Sequence, residues 1–433
     1  MLKRFLHKDL PIYPLISFRI GFGLLMLFGL VRTLAQGWVN ELYIKPKFFF
    51  SFYGFSWLPR FGETGIYTVY SILILAAICI AIGFYYKLAS VSFFLGFTYL
   101  ELFDATNYLN HYYLVCLFSF LLIFIPANRA YSVDVHLNRV KPMSSIPAWC
   151  IYIVMAQIAI VYTYAGLAKL HPEWLLHGMP LKIWLAEREN WPVLGWLFSQ
   201  SWTANIFSIF GCVYDLFIFW FLIQPRTRKW AYVFVLVFHL LTWSLFNIGL
   251  FPLIMIVSNI IFFSPAWHQK LLGRIGNPPK PAKHIPRFPK WLWVYLVIQI
   301  CLPIRFLLYP SQILWAEEGY RFSWRVMLVE KSGLAQFTVK VGDRPAFQVQ
   351  NSDFLSPFQE KQMAIQPDFI LQYAHFLGDE YQGDQSVPVQ VFVQSNVAIN
   401  GRVSQALIDP KQDLMDIEDD FTTKKWIIRH PNL

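Results

Sequence analysis

The chain has 433 residues, 56% hydrophobic, 18% aromatic and 14% charged, with a formal net charge of +10. An ordinary soluble domain carries about 25% charged residues, and one or two soluble cores would not bury so much apolar surface. Intrinsic disorder, a collagen-like fibre and a small disulfide scaffold are excluded by the same figures, leaving an integral membrane protein with an appended soluble part.

The charge is unevenly placed. Residues 1–308 hold 25 Lys and Arg against 10 Asp and Glu, while residues 309–433 hold 11 against 16. The positive excess lies in short loops between apolar runs, so it reads as an orientation signal and not as a nucleic-acid surface. The start, Met1-Leu2-Lys3-Arg4, resembles a signal peptide, but a long apolar run without an A-x-A cleavage site follows, which predicts a retained first span.

A spanning helix needs about 20 mostly apolar residues. Candidates fall at 13–33, 66–86, 88–105, 110–126, 147–169, 203–224, 230–246, 248–264 and 290–309; some are short for a full crossing, so eight or nine spans are expected. With the N-terminus in the cytoplasm, 16 Lys and Arg fall in cytoplasmic connections and five (Lys45, Lys47, Arg60, Lys182, Arg188) in the opposite ones, in agreement with the positive-inside rule. Everything after about residue 310 is then extracytoplasmic. The predicted architecture is a polytopic α-helical membrane domain over 1–308 and a mostly β extracytoplasmic domain over 309–433.

Two outer loops, 34–64 and 170–202, are rich in Trp, Phe and Pro and suit interfacial helices or re-entrant pieces. The prolines of Ile275-Gly-Asn-Pro-Pro-Lys-Pro-Ala-Lys283 predict a cytoplasmic linker. In the tail, β-rich runs at 324–329 and 335–341 flank Glu330-Lys331-Ser332-Gly333, a hairpin signal. Residues 387–397 predict another strand with Pro388 at a sheet edge. Residues 367–377 predict a short helix that starts on Pro367 and stops at Gly378.

Ionisable residues within spans are expensive and draw attention first. Arg19 lies near a membrane face, within reach of snorkelling. Asp215, in mid-span, cannot snorkel and needs a cation or hydroxyl partner, whether for structure or for catalysis. Lys169 closes the fifth span; a lysine there is favoured by the helix dipole and free to snorkel. Its context offers a second reading. Tyr162 lies on the same helical face, and Ala165 and Gly166 permit close helix approach. A lysine in an apolar pocket is disfavoured as ammonium and becomes available as a base. Asn110, His111 and the 246–252 segment fall on the same outer side as Lys169. His239 reads as a bundle-facing histidine, structural or cofactor-binding.

The five cysteines all sit in apolar runs without a CxxC pair and read as small core hydrophobes. There is no HExxH, Walker A, GxGxxG or GxSxG sequence, and no His/Cys/carboxylate spacing suited to a metal. The carboxylates at 409–420 read as a solvated acidic face. Chemistry in this chain would therefore use a diffusible, lipid-soluble cofactor.

Several runs resemble one family in order and spacing: Phe18-Arg19-Ile20-Gly21-Phe22-Gly23, Glu41-Leu-Tyr-Ile-Lys-Pro-Lys-Phe48, Thr106-Asn-Tyr-Leu-Asn-His-Tyr-Tyr-Leu114, Ala165-Gly-Leu-Ala-Lys-Leu170 and Phe246-Asn-Ile-Gly-Leu-Phe-Pro252. With Tyr320-Arg-Phe-Ser-Trp-Arg325, Ile399-Asn-Gly-Arg402 and Ile408-Asp-Pro410 in the tail, the chain resembles the vitamin K-dependent γ-glutamyl carboxylases and their microbial HTTM-domain relatives. The resemblance implies an enzyme that uses reduced vitamin K or a related naphthoquinol, with O₂ and CO₂ as co-substrates, to carboxylate glutamate at its γ-carbon while the quinone epoxide forms. It implies Lys169 as the base and Asn110 and His111 as residues that position quinone or glutamate. Tyr162, Asn247, Phe251 and His239 are then the quinone contacts. The implied partners are membrane lipid, quinone and a glutamate-containing peptide or protein; no nucleic acid and no metal are expected. The absence of an Asn-x-Ser/Thr sequence favours a bacterial inner membrane, with the tail in the periplasm. The alternatives are a quinol epoxidase or a carboxylase of another substrate, and a non-catalytic quinone- or lipid-binding membrane protein.

Overall fold

A computed structural model describes residues 6–273, 288–383 and 387–433; the linker expected at 275–283 lies outside the described residues. The nine apolar runs are helical over most of their lengths. They form α1 (Tyr13–Ala35), α2 (Glu63–Ile82), α3 (Tyr86–Phe103), α4 (Asn110–Phe124), α5 (Trp149–Ala168), α6 (Thr203–Ile223), α7 (Arg228–Leu245), α8 (Phe251–Asn259) and, after α9 (Pro265–Leu272), α10 (Trp291–Cys301). Among the described residues, five are long and apolar enough to cross a membrane: α1, α2, α5, α6, and α10 with its 3₁₀ continuation to Leu308. A sixth is counted if α8 and α9 are one bent span, since the chain turns by 113° between them. The break has a local cause: Ser264 caps the Trp267 amide and Pro265 restarts the helix at its first turn. The count of eight or nine is therefore not reached on length and apolarity, and α4 has only 15 residues.

The outward faces of α6, α7 and α10 expose Phe210, Phe217, Trp220, Trp230, Phe234, Val294 and Val297. Such a continuous apolar surface suits lipid and not water. Inside the bundle, Phe18 meets Phe118 edge-on at 5.2 Å and Phe22 meets Phe93 at 5.7 Å, locking α1 against α3 and α4.

Arg19 does not snorkel. It is fully buried, and its guanidinium donates to the carbonyls of Ala127 (3.0 Å), Ala130 (3.5 Å) and Tyr131 (2.6 Å). The arginine thus satisfies backbone acceptors that the turn after α4 leaves without helical partners. Arg19→Met will strand those carbonyls and lower stability by about 3 kcal/mol, read as an earlier thermal unfolding midpoint in detergent. An unchanged midpoint would contradict this role. Next to this clasp, β1 (Asp9–Pro11) pairs antiparallel with β2 (Ser145–Pro147).

At the other end of the bundle, the end of α3, the start of α4, the ends of α5 and α7 and the start of α8 gather beneath the tail. The tail holds a sheet of order β4–β3–β5–β6, with β3 at Lys331–Val341, β4 at Phe347–Gln348, β5 at Val389–Ile399 and β6 at Gln405–Ala406. β3 and β5 pair over eleven residues, from Lys331↔Ile399 to Val341↔Val389. Their alternate residues Phe337, Val339, Val391 and Val393 are buried, on the period of two that a one-sided sheet requires. The buried residues Phe369, Ile370, Tyr373 and Leu377 of α12 (Pro367–Gln382) complete this core beside α11 (Pro357–Met363).

Two expectations for the tail are corrected. The 330–333 hairpin does not form, because Lys331 to Gly333 lie within β3, whose long partner is the distant β5. The helix from Pro367 passes through Gly378 and ends at Gln382; Gly378 makes room for the Met415 side chain and does not cap the helix. Part of the outer loop at 34–64 packs against the tail. Phe48 packs on Phe376 and Phe50 on Phe369, and the Ser51 backbone N–H donates to Gln372 Oε1 while its carbonyl accepts from Gln372 Nε2.

Candidate active site

Lys169 follows the last turn of α5 and is 6% exposed. Its Nζ donates to Asp215 Oδ2 of α6 at 2.6 Å and lies 5.4 Å from the centre of the Trp174 ring. The two helices approach this closely because of Gly166, where a Cβ would lie 2.8 Å from the Leu216 backbone nitrogen. Asp215 thereby obtains the cation that its mid-span position demands. The amine expected to be neutral in purely apolar surroundings instead faces a carboxylate.

One face of α5 carries a second polar cluster. Tyr162 Oη accepts from Asn259 Nδ2 at 2.8 Å and lies 3.3 Å from His239 Nε2 and 3.4 Å from Tyr214 Oη. All four residues are buried, and His239 Nδ1 has no partner. Lys169 and Asp215, and Tyr162 and His239 of the second cluster, border one cavity of about 90 Å³. Val161, Phe207, Phe238, Phe246, Ile248, Phe251 and Met255 supply its apolar walls.

Asn110 and His111 border a different, larger cavity of about 790 Å³, together with Asn247, Glu101 and Arg325. The two cavities share the wall residues Ile248, Phe251, Val326 and Met327. Phe251 is the clearest partition, its ring centre 5.8 Å from both the His111 and the His239 rings. The structure therefore brings Lys169, Tyr162, His239 and Phe251 together in one chamber and Asn110, His111 and Asn247 in the next, with Phe251 common to both.

Asn110 is fully engaged. Its Oδ1 accepts from Tyr108 Oη, which itself accepts from the Phe322 amide, and its Nδ2 donates to the Arg325 carbonyl at 3.1 Å. It ties the start of α4 to the tail. His111 is buried with Nε2 unpartnered. The neighbouring Gly249, at φ +61°, carries the loop past the imidazole where a Cβ would stand 3.9 Å from Nε2.

Sequence reasoning passed over the contacts that join the lysine loop to the tail. Glu173, four residues beyond Lys169, accepts from Arg402 through both carboxylate oxygens (2.7 and 2.6 Å) and from Asn400 Nδ2 at 2.9 Å. Trp184 Nε1 donates to Glu330 Oε2 at 2.7 Å. Only the Asn-Gly-Arg run at 400–402 signalled any of this. Burial pushes the Glu173 carboxyl up, but the hydrogen bonds from Arg402 and Asn400 outweigh burial and hold it below its ordinary 4.5. A lowered native value stabilises the fold above the unfolded value and loses that contribution as acid protonates the native carboxyl. Arg402→Ala will therefore cost about 2 kcal/mol above pH 4.5, and the gap to wild type will narrow as the pH falls further. Parallel unfolding curves at all pH values would refute this.

A buried lysine–carboxylate pair and a tyrosine–histidine pair border one mainly apolar chamber, to whose wall the tail adds Val326 and Met327, in a bundle with helices of membrane-crossing length. Residues 7–267, more than half of the chain, match the HTTM domain, and residues 288–432 match the vitamin K-dependent gamma-carboxylase, lumenal domain. The chain belongs to the vitamin K-dependent gamma-carboxylase family of HTTM proteins. No solved structure matches it.

The walls of the smaller chamber are aromatic and aliphatic, and the unpartnered His239 Nδ1 and the Lys169–Asp215 pair offer polar groups to a ring bearing two hydroxyls. Among the described residues no group of His, Cys and carboxylates could hold a metal ion.

Proposed function

We propose that this protein is a naphthoquinol-dependent γ-carboxylase that works on glutamate side chains at the outer face of a bacterial inner membrane. The carrying observation is Lys169 paired with Asp215 in a mainly apolar chamber one wall away from His111. Phe207, Phe238, Phe246 and Phe251 would hold the fused rings, and Lys169 and His239 would meet the hydroxyls. Bound there, the reduced naphthoquinone supplies, with O₂, the base that removes a glutamate γ-proton before CO₂ adds.

The chain's own residues handle the first proton. In low dielectric a neutral amine–carboxylic acid pair competes with the ion pair, because two buried charges carry a large desolvation cost. Passage of the Nζ proton to Asp215 Oδ2 frees the amine lone pair to take a hydroxyl proton. Tyr162, held by Asn259, orients His239. Asn110 acts by position, fixing the 322–325 segment above the site. Phe251, Ile248, Val326 and Met327 keep the two chambers distinct and exclude water, which would quench a strong base.

Nine crossings, with α3, α4 and α7 completing the set and the N-terminus in the cytoplasm, would put the tail in the periplasm, and a reporter fused to the C-terminus reads this directly. Purified protein given reduced naphthoquinone, O₂, labelled bicarbonate and a glutamate peptide should fix label into the peptide and release quinone epoxide. Epoxide without label would select an epoxidase; bound quinone with neither product would refute an enzyme.

A further inference from the structure

We propose that the larger cavity seats the carboxylate of the substrate side chain and that Arg325 recognises it; this rests on the carboxylase reading and adds the residue that selects the substrate. Among the described residues four basic side chains are buried. Arg19 is held by three carbonyls, Lys169 by Asp215, and Lys331 by Glu317 and the Trp315 carbonyl. Arg325, 7% exposed, has no hydrogen-bond acceptor: its Nε is unpartnered, and its guanidinium lies 4.4 Å over the Phe306 ring. A buried cation without a counter-charge is costly unless an anion arrives to complete it. A guanidinium is shaped to take a carboxylate through two parallel hydrogen bonds.

The position of Arg325 gives that anion a purpose. Arg325 lines the larger cavity, and the next two residues, Val326 and Met327, belong to the wall shared with the Lys169 chamber. A side-chain carboxylate held here brings its adjacent carbon toward the partition beyond which the base forms. The remaining charged lining groups, Arg32, Glu41 and Glu101, come from the α1–α3 part of the cavity, so Arg325 is the cation on the tail side. Three further buried atoms of the same lining, Glu101 Oε1, Asn107 Nδ2 and His111 Nε2, are also unpartnered, the two nitrogens lying free to face an anion. The backbone that presents Arg325 is strained, with Phe322, Trp324 and Met327 at φ of +60°, +59° and +56°, a concentration found where function over-determines local conformation.

The test reads binding without turnover. The full chain in detergent is titrated calorimetrically with a glutamate pentapeptide and with its glutamine counterpart. Wild type should prefer the glutamate peptide by about 10- to 100-fold, the weight of a charge-assisted pair. Arg325→Gln should bind both alike, and Arg325→Lys, which retains the charge and guards against a folding artefact, should keep part of the preference. A preference that survives in Arg325→Gln, or none in wild type, overturns the proposal. Displacement of the bound glutamate peptide by short-chain phosphatidylglycerol at concentrations far below the peptide's own Kd would give the seat to a lipid phosphate and overturn it too. A glutamate preference in a chain that fixes no label would refute the carboxylase and leave Arg325 in its role.

Discussion

Lys169→Ala will lower label fixation and epoxide release together, by about 10²–10⁴-fold, the usual weight of a positioned general base. Both products fall because the lysine acts before the two half-reactions separate. The apparent affinity for quinol should change little, since Phe207, Phe238, Phe246 and Phe251 line the chamber and remain in place. Wild-type rates in the mutant would remove Lys169 from the base role. A fall in label alone, with epoxide intact, would place the residue on the CO₂-fixing side instead.

The second large effect concerns stability and separates the pair from its chemistry. Lys169→Met leaves Asp215 as an uncompensated carboxylate and Asp215→Leu leaves an uncompensated ammonium, and each should destabilise the bundle by about 3–5 kcal/mol. The double variant Lys169→Met/Asp215→Leu removes both charges and fills the space with apolar atoms, so it should recover most of that loss. It should remain inactive. Unfolding midpoints and turnover measured on the same three preparations give the answer. A double variant no more stable than the singles would mean that the pair is not the only partner either charge has.

The legible part of this fold was whatever depends on short-range pattern. Apolar runs mark α1, α2, α5, α6 and α10 directly, and the seven-residue spacing of Tyr162 and Lys169 places both on one helix face. Asp215 announced a need for a cation, but that the cation is Lys169 depends on how α5 and α6 meet at Gly166, which no local pattern contains. The division of the polar residues between two chambers was equally hidden: it arises where the 247–251 loop meets Val326 and Met327 of the tail. In the tail, Lys331-Ser332-Gly333 carries good turn chemistry, yet β5 supplies an eleven-residue partner to β3 and the longer ladder prevails. Gly378 looked like a stop signal because a missing side chain suits a cap as well as it suits a neighbour such as Met415. Arg325 stood only as the end of the Tyr320–Arg325 run, with no role of its own, because a basic residue in a soluble tail is ordinarily solvated; its burial makes it unusual.

The β3–β5 ladder has a reach that its own domain does not reveal. Eleven paired residues span about 35 Å, and the ladder ends at Lys331 and Ile399, with Asn400 and Arg402 following at once to grip Glu173. A slip of one residue anywhere along it would reverse which side chains face inward and withdraw the grip from the loop that carries Lys169. Strand alignment in a water-soluble sheet is thus a calibration of distance at the membrane, and a one-residue deletion near Val341, remote from every cavity wall, belongs among the changes able to disarm the lysine.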